Sequence, residues 1–367
     1  MGLEVGIVGL PNVGKSSLFN ALAGTALAAA ANYPFCTIEP NRAIVPVPDS
    51  RLEALARLVN PQKITPTTLT VVDIAGLVRG AHAGQGLGNQ FLSHIREVDA
   101  ILHVLRCFEA PDVVHVEGSP DPLRDKEIID LELQLKDLET LSRTLPRIER
   151  EAKLAASSEA KKQLEVIQRA EAHLSASQNL RTLTPLTPEE RAFLQTFHFL
   201  TLKPIMYVAN VDEKSLPKGN AWSQAVEAVA RQEGVPSLTL CVQIEAQIAG
   251  LSPEEQKEFL SLYGLEEPLL PRLIREAYRL LGLITFFTAG EKEVRAWTVR
   301  AGTLAPAAAG KIHSDMERGF IRAEVIAFED YVAKGGEEGA KNAGKMRLEG
   351  KEYVVQDGDV VYFRFAV

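Results

Sequence analysis

The sequence predicts an α/β fold in three parts, on three observations. A glycine-rich turn, Gly9-Leu10-Pro11-Asn12-Val13-Gly14-Lys15-Ser16, lies between a short apolar run at 3–8 and a helix-like run that begins Ser17-Leu18-Phe19. The stretch between residues 107 and 203 is too long for a simple crossover and has helical periodicity. From about Leu283 the pattern changes to short β-branched and aromatic runs.

The first element reads as a strand feeding a phosphate loop that opens a helix, with the spacing GxxxxGK[ST]. Gly9 and Gly14 let the backbone curl so that the N–H groups around Asn12, Val13 and Gly14 point inward at a β-phosphate. The helix N-terminus at Lys15, Ser16 and Ser17 adds unsatisfied donors and a favourable dipole. Lys15 is expected to reach the β- and γ-phosphate oxygens, and Ser16 to offer its hydroxyl to Mg²⁺. The competing explanation is a structural glycine turn with an exposed lysine.

Next, Asn32-Tyr33-Pro34-Phe35-Cys36-Thr37 reads as a switch loop whose Thr37 hydroxyl completes the Mg²⁺ shell. Cys36 fits either a small packed apolar group or a redox-sensitive thiol. The strand 67–73 ends in Asp73, and Asp73-Ile74-Ala75-Gly76 is a DxxG element. Its carboxylate would hold Mg²⁺, and its glycine would leave an N–H for the γ-phosphate. Leu77 follows Gly76, where many relatives of such switches carry a water-orienting glutamine, so slow hydrolysis is expected.

The apolar run 204–210 ends in Asn210-Val211-Asp212-Glu213. Guanine-selective proteins place NKxD here. This chain lacks the lysine and has Glu213 in the fourth position, which undermines guanine selection and leaves backbone groups at Asn210 and Val211 to read an adenine. The last strand of the domain, 236–241, leads into Val242-Gln243-Ile244-Glu245, where a base-contacting loop is expected.

Bulk properties bound the rest. At 367 residues the chain suggests two or three domains. Its 46% hydrophobic and 24% charged content is that of a globular protein, and a net charge of −8 excludes global coating of nucleic acid. Three cysteines in no paired spacing fit a reducing cytoplasm. With the phosphate loop so near the start and no apolar run near ~18 residues, a cytoplasmic protein with no membrane span is expected, and nothing demands more than a monomer.

Within 107–203, apolar residues at 131, 135, 138, 145 and 148 form a helical stripe, and 160–174 forms a second one. Together they read as an antiparallel coiled-coil arm. The helices either pack only on each other or protrude to contact a partner, with Arg143, Arg147 and Arg150 available for phosphates. Beyond 283, strands are expected at 284–288, 293–299, 321–327 and 359–365, with a helix over 306–317. Residues 335–345 read as a lysine-bearing loop, either solvated or touching rRNA.

Taken together, the run from Asp73 to Arg96 resembles the glycine-rich second switch of the Obg group of translation-factor-type GTPases. Residues 32–41, Val104-Leu105-Arg106-Cys107-Phe108 and Asn210-Val211-Asp212-Glu213 are similar to the YchF family, the Obg-like ATPases. The resemblance implies a Ras-like P-loop NTPase domain over 1–125 and 203–281, an inserted helical arm over 126–202, and a TGS-like β-grasp domain over 282–367. It implies an ATPase that associates with the large ribosomal subunit, with GTP sometimes accepted. It also implies that a histidine replaces the missing glutamine, and the matching residue is His115; read alone, His115 is better explained as a packing histidine. His82 and His94 are the competing candidates. Asn12 either caps its turn or helps hold K⁺ against the phosphates, as in some glutamine-lacking relatives. The alternatives are an Obg-type GTPase working on GTP and a scaffold with a structural nucleotide.

Overall fold

The computed structural model describes residues 3–30, 38–76, 80, 87–154 and 158–366. Their strands in chain order are β1 (Glu4–Val8), β2 (Ile38–Glu39), β3 (Arg42–Pro46), β4 (Lys63–Thr65), β5 (Thr68–Asp73), β6 (Ala100–Cys107), β7 (Ile205–Val211), β8 (Ser237–Leu240), β9 (Leu283–Ala289), β10 (Glu293–Arg300), β11 (Phe320–Ala327), β12 (Arg347–Glu349) and β13 (Asp359–Phe365). The chain divides into two compact units, one within Met1–Thr25, Ile38–Ala43 and Thr70–Leu270, the other within Ala26–Thr37, Ile44–Leu69 and Pro271–Val367.

The first unit is built on a sheet in the order β2-β3-β5-β1-β6-β7-β8. From β5 to β8 the pairing is parallel, with Glu4 opposite Thr70, Val5 opposite Ala100, and Ile101 opposite Ile205. β6 and β7 are buried along their whole length, as their near-continuous apolar sequence requires of parallel strands covered on both faces. Helix α1 (Lys15–Ala30) follows β1 directly. This arrangement gathers the carboxyl ends of β1, β5, β6, β7 and β8 at one edge, where open α/β sheets bind ligands.

The arm consists of α4 (Pro122–Leu154) and α5 (Ser158–Ser175), which follow α2 (Ser50–Val59) and α3 (Leu87–Glu97) in the chain. Leu141, Ile148, Val166, Ile167, Ala170 and Leu174 form one apolar cluster with Leu180, Leu194 and Phe199. The expected stripe needs one correction: Leu131 is 49% exposed, and Ile129 and Leu133 are buried instead. Near its base α4 packs on the sheet rather than on α5, so its buried face is set by tertiary contact and not by the coiled-coil period. The arm's arginines are partly neutralised, Arg143 by Glu139 at 2.7 Å and Arg147 by Glu151 at 3.7 Å.

The second unit contains a sheet in the order β12-β11-β13-β9-β10-β4. β9 and β10 form an antiparallel pair, and β13 lies parallel to β9 in the centre. The helix Ala305–Ile312 buries Ala305, Ala308 and Ala309 among Phe286, Val299 and Val325. A central parallel pair of first and last strands with a helix across it is the expected β-grasp arrangement. Residues 50–65, assigned by sequence to the nucleotide domain, lie in this unit as α2 and β4. Lys63 of β4 pairs opposite Glu293. α2, capped by the Asp49 carboxylate on the Arg51 N–H at 2.9 Å, buries Leu52 and Leu55 against Phe287 and Val294. The expected loop at 335–345 contains a short helix, Glu337–Asn342.

Candidate functional site

The phosphate loop has the backbone that its glycines allow. Gly14 has φ 103° and Asn12 φ 62°. A Cβ on Gly9 would lie 2.6 Å from the Val104 carbonyl oxygen, and one on Gly14 would strike the Asn210 amide. Lys15, only 7% exposed, donates to the Leu10 carbonyl at 2.7 Å. Burial pulls its ammonium down to about 8, and the Asp73 carboxylate opposes that shift. Among the described residues the cation is thus held beside the loop without a hydrogen-bonded anion of its own, an arrangement suited to a polyphosphate.

β1 and β5 run side by side, so Asp73, opposite Ile7, is delivered to the same edge. Burial raises the Asp73 carboxyl above its usual range, while the Ser16 hydroxyl bond and Lys15 lower it. Its buried Oδ1 has no partner among the described residues. An orphaned carboxylate oxygen beside a serine hydroxyl is a donor set that fits Mg²⁺, which keeps waters and takes one or two protein oxygens plus phosphate. Gly76 stands where a Cβ would come within 3.1 Å of Lys15 Nζ, so the DxxG element meets the phosphate loop. Thr37, Cys36, Leu77 and His82 lie outside the described residues.

A cavity of about 780 Å³ adjoins the loop. It is lined by Asn12, Gly14 and Ser17 on one side and by Asn210, Val211, Asp212, Val242 and Gln243 on another. Asn210 is a clasp: its amide donates to the Val13 carbonyl at 3.0 Å and its carbonyl accepts from the Val242 N–H at 3.1 Å. Glu213, expected to contact the nucleotide, is exposed and does not line the cavity. The chain turns at Asp212, whose carboxylate caps Ser215 at 3.0 Å, and that turn directs Glu213 outward. Phe108, Glu109, Ala110 and Val113 form a further wall, which sequence reasoning missed. The one signal for it is the segment's position directly after β6.

His115 does not line this cavity. It is 5% exposed, its Nε2 lies 2.8 Å from Asp125 Oδ2 in the first turn of α4, and its Nδ1 accepts the Glu117 N–H at 3.1 Å. The preceding residue is tied to the phosphate loop, with the Asn12 amide donating to the Val114 carbonyl at 3.0 Å. His94 is exposed on α3. No helix among the described residues is long and apolar enough to cross a membrane.

Known proteins are similar to this chain. Residues 4–148 match the family described as "50S ribosome-binding GTPase", and residues 283–366 match YchF-GTPase_C, described as "Protein of unknown function (DUF933)". The chain is 54% identical over 367 residues to "Ribosome-binding ATPase YchF" of Haemophilus ducreyi, covering 100% of both. It is 52% identical over 369 residues to the protein of that name in Bacillus subtilis, again covering 100% of both. With "Obg-like ATPase 1" of Pongo abelii the identity is 44%, over 99% of this chain and 92% of the relative. The solved structure of the Schizosaccharomyces pombe YchF GTPase superposes with a TM-score of 0.89 at 37% identity, covering 99% of this chain and 98% of that one.

Proposed function

The chain belongs to the YchF family of Obg-like ATPases, and from that membership we propose that it is a ribosome-associated switch that binds and slowly hydrolyses ATP with Mg²⁺. It is a P-loop nucleoside triphosphatase: water attacks the γ-phosphorus, the bond to the bridging oxygen breaks, and ADP and phosphate leave. Lys15 neutralises β- and γ-oxygens, and the Gly14 to Ser17 amides cradle the β-phosphate. Ser16 and Asp73 would hold Mg²⁺, which supplies charge neutralisation between the phosphates; Thr37 joins them in this proposal. Leu77 in the glutamine position supports slow turnover, and His115 is proposed to assist hydrolysis.

The observation that carries the ATP reading is the outward position of Glu213. In guanine-selective proteins the acid at this position accepts from the base. Here no acid from the fourth position faces the cavity, and the Asn210 clasp leaves main-chain groups around Val211 to meet the base. The relatives named ribosome-binding ATPase support ribosome association, and the 50S description of the matched family supports the large subunit. A three-part division at 126, 203 and 282 remains the proposed functional layout, with rRNA contact through the arm or the C-terminal domain.

Competition of fluorescent ATP and GTP analogues with Mg²⁺ tests the reading. ATP preference is expected. Equal or tighter GTP binding would make the protein an Obg-type GTPase; the fission-yeast relative is titled a YchF GTPase. Exchange of K⁺ for Na⁺ at constant ionic strength tests Asn12: slower hydrolysis in Na⁺ assigns it to a cation, and equal rates assign it to tethering Val114.

A further inference from the structure

Arg106, on the penultimate position of β6, is 1% exposed. Its donors go to carbonyl oxygens of the segment that follows: Nε to Phe108 at 3.2 Å, Nη1 to Val113 at 3.0 Å and Nη2 to Ala110 at 3.3 Å. The guanidinium carbon also sits 4.7 Å from the centroid of the Phe108 ring. A buried charge is costly unless its donors are satisfied, and here one loop satisfies it. That loop has no helix or strand of its own between Cys107 and Pro122, so little else fixes its course.

We propose that Arg106 is a positioning residue for nucleotide binding: its guanidinium fork pins Phe108 to Val113 as a wall of the nucleotide cavity. Phe108, Ala110 and Val113 all line that cavity, and each lends Arg106 its carbonyl. The far end of the same loop is held to the phosphate loop through Asn12 and Val114. The wall is therefore stretched between the tip of β6 and the phosphate loop, and its position is set before any ligand arrives. A lysine cannot replace this fork, because one ammonium donates from a single nitrogen and cannot span carbonyls met by three separate nitrogens. The inference rests on reading the cavity as the nucleotide site.

The test compares wild type, Arg106→Lys and Arg106→Ala by titration with a fluorescent ATP analogue and Mg²⁺, alongside steady-state hydrolysis. Both variants are expected to bind on the order of tenfold more weakly, with KM rising by more than kcat falls. Millimolar guanidinium should restore binding in Arg106→Ala, and NaCl of equal ionic strength should not. Binding by Arg106→Lys within twofold of wild type would overturn the proposal. Hydrogen exchange without nucleotide is a second readout: peptide 108–114 should exchange faster in Arg106→Lys than in wild type while the β7 peptide is unchanged, and equal exchange at 108–114 overturns the proposal as well. Failure of wild type itself to bind ATP would remove the nucleotide reading and not the Arg106 contacts.

Discussion

His115 and Asp125 face each other across the loop between β6 and α4, with Nε2 2.8 Å from Oδ2 and both side chains 1% exposed. Because Nδ1 accepts the Glu117 N–H, the proton of the neutral ring lies on Nε2 and is donated to Asp125. Both ring nitrogens are engaged, so a role at the γ-phosphate requires His115 to leave Asp125. The pair thus joins the segment tied to the phosphate loop through Asn12 to the first turn of the arm helix.

His115→Ala should lower kcat by at least ~tenfold, with the Kd for ATP changed far less. Single-turnover hydrolysis at saturating ATP checks this. An unchanged kcat with a lowered melting temperature would make the pair purely structural.

Lys15 yields a pH prediction. Its pKa near 8 in the free protein lies below the ordinary lysine value, and a bound polyphosphate favours the charged form. Binding of Mg-ATP around pH 8 should therefore take up protons, and affinity should fall as pH rises through that range. Calorimetry in buffers of different ionisation enthalpy measures the uptake; identical heats at pH 8 would contradict it. In the folded state without nucleotide the sign is opposite, since the unfolded chain holds this proton to higher pH and stability gains as pH rises above 8.

Gly14→Ala forces a residue with a Cβ to φ 103°, and the added carbon meets the Asn210 amide. The strain is about 1–2 kcal/mol, and the Asn210 clasp on Val13 and Val242 is displaced. ATP affinity should fall about tenfold or more, read by the same analogue titration.

At the base of the arm, the Asp137 carboxylate accepts the Leu200 and Thr201 N–H groups, each at 2.8 Å, and the Thr201 hydroxyl at 2.7 Å. Asp137→Ala strands these buried donors and should cost roughly 3 kcal/mol, measured by the shift in melting temperature. Burial pushes the Asp137 carboxyl up to about 6 against those donors. The folded state then holds its proton over a range where the unfolded chain has lost it, so this group's contribution falls as pH rises from about 4 to about 6. Asp137→Asn should remove that slope.

Elements under the control of local pattern were legible in the chain itself. The strand, glycine turn and helix around Lys15 follow from the residues' own backbone preferences, as do the strands that carry Asp73 and Asn210 and the strands beyond Leu283. So does the delivery of Lys15, Ser16, Asp73 and Gly76 to one edge, because parallel strands in this order admit little else. Long-range contacts chose the partners. Whether Glu213 points inward depends on the turn capped by Asp212, and Leu131 is exposed because α4 leaves its arm partner to pack on the sheet. Residues 63–65 joined the C-terminal sheet through a three-residue pairing too short to show as periodicity. Arg106 reads in sequence as a charge inside an apolar strand; only the folded loop shows the three carbonyls that hold it. Periodicity reports which face of an element is apolar, but the partner of a buried charge is set by residues the chain brings back from elsewhere.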